Sequence, residues 1–203
     1  MTSYASWAAF VNVFSSIVGF AGYTLGRRQG EPFTSLGYLA FVMWALALVP
    51  IMPWIHQGQA EAPGQNVTLL IGLLAVVSGV VLQSMLIRAL TLDQGTAWNF
   101  ASAGAIGLWL ILAQRNARRF LPEALRWLGL TTGVLRLLAF LLLGWAGFLA
   151  GGPGSSPITA LGFAADATPY GASILWAAWL GLTLTRTHAR AKYSSTGPVE
   201  KTA

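Results

Sequence analysis

Apolar residues fall along this chain in long unbroken runs, separated by short polar stretches. Leu69-Leu70-Ile71-Gly72-Leu73-Leu74-Ala75-Val76-Val77 is representative, with no alternation of apolar and polar positions. A strand of a membrane barrel alternates with period two. A helix crossing the roughly 30 Å hydrocarbon core needs about 20 mostly apolar residues. Six runs meet that description: 7–25, 36–54, 67–87, 97–113, 127–150 and 170–184. Backbone polar groups in lipid must bond within the segment, which leaves helices once a barrel is excluded. The expected fold is all-α, a polytopic integral-membrane bundle of about six transmembrane helices over 1–185, followed by a polar cytoplasmic tail over 186–203.

The connections run from 9 to 19 residues, too short to hold a separate domain. Gly-Gly-Pro-Gly-Ser-Ser-Pro at 151–157 reads as a flexible break, and Pro50 and Pro53 mark the second span as the one expected to be irregular. No basic segment precedes the first run, so it is expected to remain as a helix rather than act as a cleaved signal. The two halves show no internal repeat, which removes support for an inverted-repeat transporter.

Composition sharpens the membrane reading. Only 9% of 203 residues are charged, against about 25% in ordinary soluble domains, and the mean hydropathy is +0.62. There is no cysteine, which excludes disulfides, thiolate metal sites and thiol catalysis. The net charge of +6 would suggest nucleic acid in a soluble protein. Here the cations flank the spans, where each contributes about 1 kcal/mol against anionic headgroups. Anionic membrane lipids are therefore the expected partners, with Arg115, Arg118, Arg119 and Arg126 at the headgroups.

Lys and Arg in short loops orient a membrane protein toward the cytoplasm. With six spans, Arg115, Arg118, Arg119 and Arg126 share a side with Arg186, Arg190, Lys192 and Lys201, and only Arg27, Arg28 and Arg88 face them from the other side. Both termini are then cytoplasmic. Five or seven spans would instead place Arg27 and Arg28 on the side of the 115–126 cluster.

Ionisable groups inside a span mark function more often than any other feature. All six acids, Glu31, Glu61, Asp93, Glu123, Asp166 and Glu200, fall outside the apolar runs, which disfavours a proton- or cation-coupled pump. Arg136 is the exception among the cations. It lies ten residues beyond Arg126, about 15 Å along a helix. Three readings are open: snorkelling or bonding to helix carbonyls, a salt bridge to a loop acid, and an anion site for a lipid phosphate or a carboxylate. Asn12, Gln83 and Asn99 are candidates to line a polar cavity with it, though such residues more often hydrogen-bond across helix interfaces.

The remaining patterns favour packing over chemistry. Gly22–Gly26 and Gly147–Gly151 have GxxxG spacing, and Gly104 and Gly107 sit among alanines, so helix backbones can approach closely. Trp7, Trp54, Trp98 and Trp127 suit an interfacial belt. Trp145, Trp176 and Trp179 are candidates to face a lipid, a pigment or a partner helix, from another membrane protein or a second copy of the chain. His56 and His188 lie outside the spans, so no haem or zinc ligand set exists and no cofactor is expected. No catalytic order of Ser, His and Asp, no phosphate loop and no paired carboxylates occur.

The block Gly107-Leu-Trp-Leu-Ile through Arg115, continuing into Leu121-Pro-Glu-Ala-Leu-Arg-Trp-Leu-Gly-Leu-Thr-Thr-Gly133, resembles one in a family of uncharacterised bacterial six-helix membrane proteins, the DUF4386 type. Leu175-Trp-Ala-Ala-Trp-Leu-Gly-Leu-Thr-Leu-Thr-Arg186 resembles that family's closing helix. The resemblance is confined to the region of helices four to six and implies six helices in a prokaryotic membrane. It implies no activity, because the family has none assigned.

Two functions of different classes follow. One is a non-catalytic accessory, assembly or regulatory subunit acting through helix–helix contacts. The other is a small carrier or binding protein for a lipid or amphipathic anion, with Arg136 as the charge clamp. An enzyme acting on lipids ranks behind both.

Overall fold

The computed structural model describes residues 2–59, 63–86, 92–144 and 170–187. These are helices and the turns joining them, and no strand occurs among the described residues. In chain order the helices are α1 (Thr2–Gln29), α2 (Phe33–Leu46), α3 (Ile51–Gly58), α4 (Gln65–Leu86), α5 (Leu92–Asn116), α6 (Glu123–Ala139) and α7 (170–187).

Three segments are long and apolar enough to cross a membrane: Thr2–Gly26, Ser35–Gly58 and Glu123–Leu142. They correspond to the first, second and fifth of the expected runs. Helix α4 adds a shorter apolar stretch, Gln65–Val81. Several helices extend beyond the apolar runs. Arg28 and Arg115 fall in the last turns of α1 and α5, where cations meet the negative end of the helix dipole. Asp93 falls in the first turn of α5 rather than in a loop.

The expected irregularity of the second span is present and has a local cause. Pro50 has no N–H to give, and around it the ladder tightens: the Leu48 and Val49 amides bond to Ala45 and Leu46, three residues back instead of four. The chain regains α geometry at Ile51, with Pro53 in the first turn, where an amide is not required. One consequence is that the Trp44 carbonyl loses the Leu48 amide that would have bonded to it. Asn12 of α1 takes over, its Nδ2 donating to that carbonyl at 3.0 Å.

Residue pairings fix the directions of the rods. Gly22 meets Gly37 and Gly19 meets Phe41, so α1 and α2 run antiparallel. Gly79 lies against Ser102 and Gly72 against Trp109, which makes α4 and α5 antiparallel. Gly104 against Phe140, and Gly129 against Gln114, do the same for α5 and α6. Helix α7 runs against α1, with Ser6 beside Thr185 at one end and Phe20 beside Tyr170 at the other. Counting α2 and α3 as one interrupted rod, successive helices alternate in direction. Arg115, Arg118, Arg126 and Arg186 therefore gather at the end where α1 begins, and Arg28 lies at the opposite end.

Glycine sets the closest crossings. A Cβ on Gly22 would lie 2.7 Å from the Gly37 backbone nitrogen. Gly107 and Gly133 are reciprocal: a Cβ on either would lie 2.7 Å from the other's carbonyl oxygen. The core comprises alanines at these crossings together with Ile51, Met52, Ile55, Ile106, Trp109, Leu125 and Leu180. The outside is apolar too. Tyr4, Trp7 and Phe14 are each about 70% or more exposed, at 76%, 71% and 69%, and Leu70, Leu74, Leu138 and Leu175 also point outward.

Candidate functional site

Helix α6 has one buried face, made by Leu125, Gly129, Thr132, Gly133, Arg136 and Ala139. The two glycines let α5 approach along it. A large cation on this face is driven inward, and Arg136 is 2% exposed. Its guanidinium does not snorkel to the surface. Nε and Nη2 both donate to the Ser173 hydroxyl of α7, at 3.2 and 2.9 Å. The guanidinium carbon lies 4.8 Å from the centroid of the Trp44 ring and 5.4 Å from that of Tyr170. Desolvated cation–π contacts of this kind contribute up to about 2 kcal/mol each.

Arg136 opens onto a small pocket whose wall also includes Phe41 and Trp44 of α2, Gly79 of α4, Ser102 of α5 and Tyr170 of α7. The space open to the centre of a water molecule is about 20 Å³, room for one or two water-sized groups. Tyr170 also packs obliquely on Phe20 and Phe41, at 6.1 and 6.0 Å between ring centres, which holds the aromatic wall in place. One turn beyond Arg136, α6 widens into a π-helical turn over Phe140–Gly144, a local geometry that recurs at functional sites. The pocket lies thirteen residues beyond Glu123, about 20 Å from the Arg115–Arg126 end of the bundle.

The other sequence-nominated residues are dispersed. Asn12 is buried but bonds to the Trp44 carbonyl, behind the ring that forms the pocket wall. The helix backbone is described at Gln83 and Asn99; their side chains lie outside the described part, as does that of Arg119. Arg115 and Arg118 are exposed, and Arg126 stacks over Trp127 at 5.9 Å. Trp176 is buried against α5 and α6 rather than offered to a partner, whereas Trp179 is 40% exposed. Trp145, with Gly147 and Gly151, lies outside the described residues.

Trp44, Tyr170 and Ser173 were not legible as site residues in the sequence. Trp44 sits in an apolar run, and the other two sit at the start of the last one. Only the tertiary arrangement, which brings α2 and α7 within reach of the Arg136 guanidinium, assembles them. A sequence signal existed for one of them: Ser173 is a lone polar position in the first turn of an apolar helix.

The fold is thus an all-helical bundle with three helices long and apolar enough to span a membrane, organised around a buried arginine. Comparison with known protein families, curated proteins and solved structures found no match.

Proposed function

We propose that the chain is a six-span inner-membrane protein, both termini cytoplasmic, that binds the anionic head of an amphipathic molecule at Arg136. The observation that carries this reading is a guanidinium 2% exposed that nevertheless lines a pocket. Supporting it are the alternating helix directions, which place the basic 115–126 segment at one end, and an outer surface of leucine, valine and aromatic side chains suited to lipid. The pocket admits a carboxylate or a headgroup oxygen but not a whole lipid, so the tail of such a ligand stays among the helices or in the bilayer. Ser102 places a hydroxyl in the pocket wall, and Ser173 holds the guanidinium in position.

The accessory-subunit reading rests on apolar faces available to a partner. Those faces are spread over α1, α2, α4, α6 and α7, as lipid contact requires. The pocket is the more specific feature.

The test is a titration of the purified chain in mild detergent with octanoate, octanol and iodide, read by calorimetry. Octanoate is expected to bind at least tenfold more tightly than octanol, a difference of about 1.4 kcal/mol. Arg136→Gln should bring octanoate down to the octanol level. Arg136→Lys should fall between, because lysine keeps the charge and loses the planar fork. Iodide binding as tightly as octanoate would assign the site to small inorganic anions instead. Equal octanoate affinity in the native chain and a folded Arg136→Gln variant would remove Arg136 from the reading.

A further inference from the structure

The interface of α5, α6 and α7 holds a second polar group of side chains that the Arg136 pocket does not use. Gln114 is fully buried at the end of α5, and Trp176 on α7 is 2% exposed. Gly129 of α6 lies between them: a Cβ there would come within 2.7 Å of both the Gln114 Cδ and the Trp176 Nε1. The two side chains face each other across a glycine. Neither Nε2 nor Oε1 of Gln114, nor Nε1 of Trp176, has a hydrogen-bond partner among the described residues. Leaving a buried polar atom unsatisfied costs about 1–3 kcal/mol, so three in one place call for a partner.

The chemistry of the set selects that partner. Gln114 Nε2 and Trp176 Nε1 can only donate, and Gln114 Oε1 can only accept. A halide or a carboxylate would meet the two donors and be repelled by the carbonyl oxygen. A metal ion would meet the oxygen alone. Water accepts from the N–H groups and donates to the oxygen, so it serves both kinds of atom.

The position has a second implication. Gly129, Thr132 and Arg136 occupy one buried face of α6, and seven residues, about 10 Å of helix, separate the first from the last. Gly129 is also the member nearer the end that carries Arg115, Arg118 and Arg126. We infer that Gln114 and Trp176 form a hydrated site at the loop end of the α5–α6–α7 interface, on the same buried face of α6 as Arg136. The hydrated site stands on Gln114, Trp176 and Gly129 alone and does not depend on anion binding at Arg136.

Hydroxyl radicals generated from water by X-ray radiolysis label side chains next to ordered internal water, and the intact chain in detergent suffices. Trp109 is the internal control, because it is as buried as Trp176, at 1% exposure. Trp176 is expected to be oxidised at least threefold faster than Trp109. Gln114→Leu should lower the Trp176 rate to that of Trp109, and Arg136→Gln should leave it unchanged. Equal rates for Trp176 and Trp109 in the native chain would mean that the amide and the indole satisfy each other directly, and would overturn the inference. So would fast Trp176 oxidation that persists in a folded Gln114→Leu variant. Failure of the octanoate titration would leave the labelling result intact, so the two readings fail separately.

Discussion

Gly133→Ala is expected to be among the most damaging single-methyl substitutions in the described part of the bundle, costing about 2–3 kcal/mol. The new Cβ would lie 2.7 Å from the Gly107 carbonyl oxygen, 2.9 Å from Ile111 Cγ1 and 3.1 Å from the Ile111 amide nitrogen. Two of those three atoms are backbone, so no side-chain rotation relieves the clash and α5 must move away from α6. Inside a bilayer the separation is not offset elsewhere, since lipid tails are as apolar as the side chains they replace and helices associate through close packing. The shift also pulls on Arg136, whose Cβ lies 2.9 Å from a Cβ placed on Gly107. Thermal unfolding in detergent reads the effect, at about 2–4 °C per kcal/mol for a chain of this size. Gly171→Ala is the companion measurement. No atom lies within 4 Å of a Cβ there, and the substitution should be neutral or stabilising by up to about 1 kcal/mol. A Gly133→Ala protein that melts with the native chain would show that the α5–α6 crossing is looser than its glycines require.

Asn12→Leu carries the second large expectation, a loss of about 1–3 kcal/mol. Leucine has nearly the shape of asparagine and suits an apolar helix better, so propensity and hydropathy both favour the substitution. The cost comes from the Trp44 carbonyl. The tightened turn before Pro50 diverts the Leu48 amide to Ala45, and Asn12 Nδ2 supplies the replacement donor. With leucine at position 12, that part-buried carbonyl is left without a donor. Asn12→Gln should not rescue, because the longer side chain displaces the amide from a 3.0 Å bond. Pairing Asn12→Leu with Pro50→Ala supplies a cleaner check. If the alanine amide restores regular helix, Leu48 returns to Trp44 and the double variant should recover part of the loss. Absence of recovery would detach Asn12 from the proline.

The two expectations show where sequence reading stops. Asn12 reads from its neighbours as a polar residue in an apolar helix, a candidate for a cavity wall. Its partner is a carbonyl thirty-two positions away, freed by a proline that the sequence marks as disruptive without saying which group it will orphan. Gly107 and Gly133 behave alike. Each is one of 23 glycines, and nothing local distinguishes the two that touch from Gly171, where an added Cβ would meet open space. Arg136 could be singled out because a charge within an apolar run costs several kcal/mol in lipid unless it is paired or hydrated. That cost is local and therefore visible in one dimension. The aromatic rings and the hydroxyl that solvate the guanidinium come from α2 and α7, and no local cost marks them.

By itself the sequence determined the helical character of the chain, the apolar segments, the irregular second span and the one arginine that must be accommodated inside. Each of these follows from free energies assigned residue by residue: transfer of apolar side chains, backbone hydrogen bonding without water, the missing proline amide, the burial of a charge. The tertiary structure alone decided that Arg136, held by Ser173, faces a pocket walled by Trp44 and Tyr170, that Asn12 serves a backbone carbonyl, and that Gln114 meets Trp176 across Gly129. Those outcomes depend on which helix faces meet and at what register, which is set by the summed packing of small residues along whole interfaces.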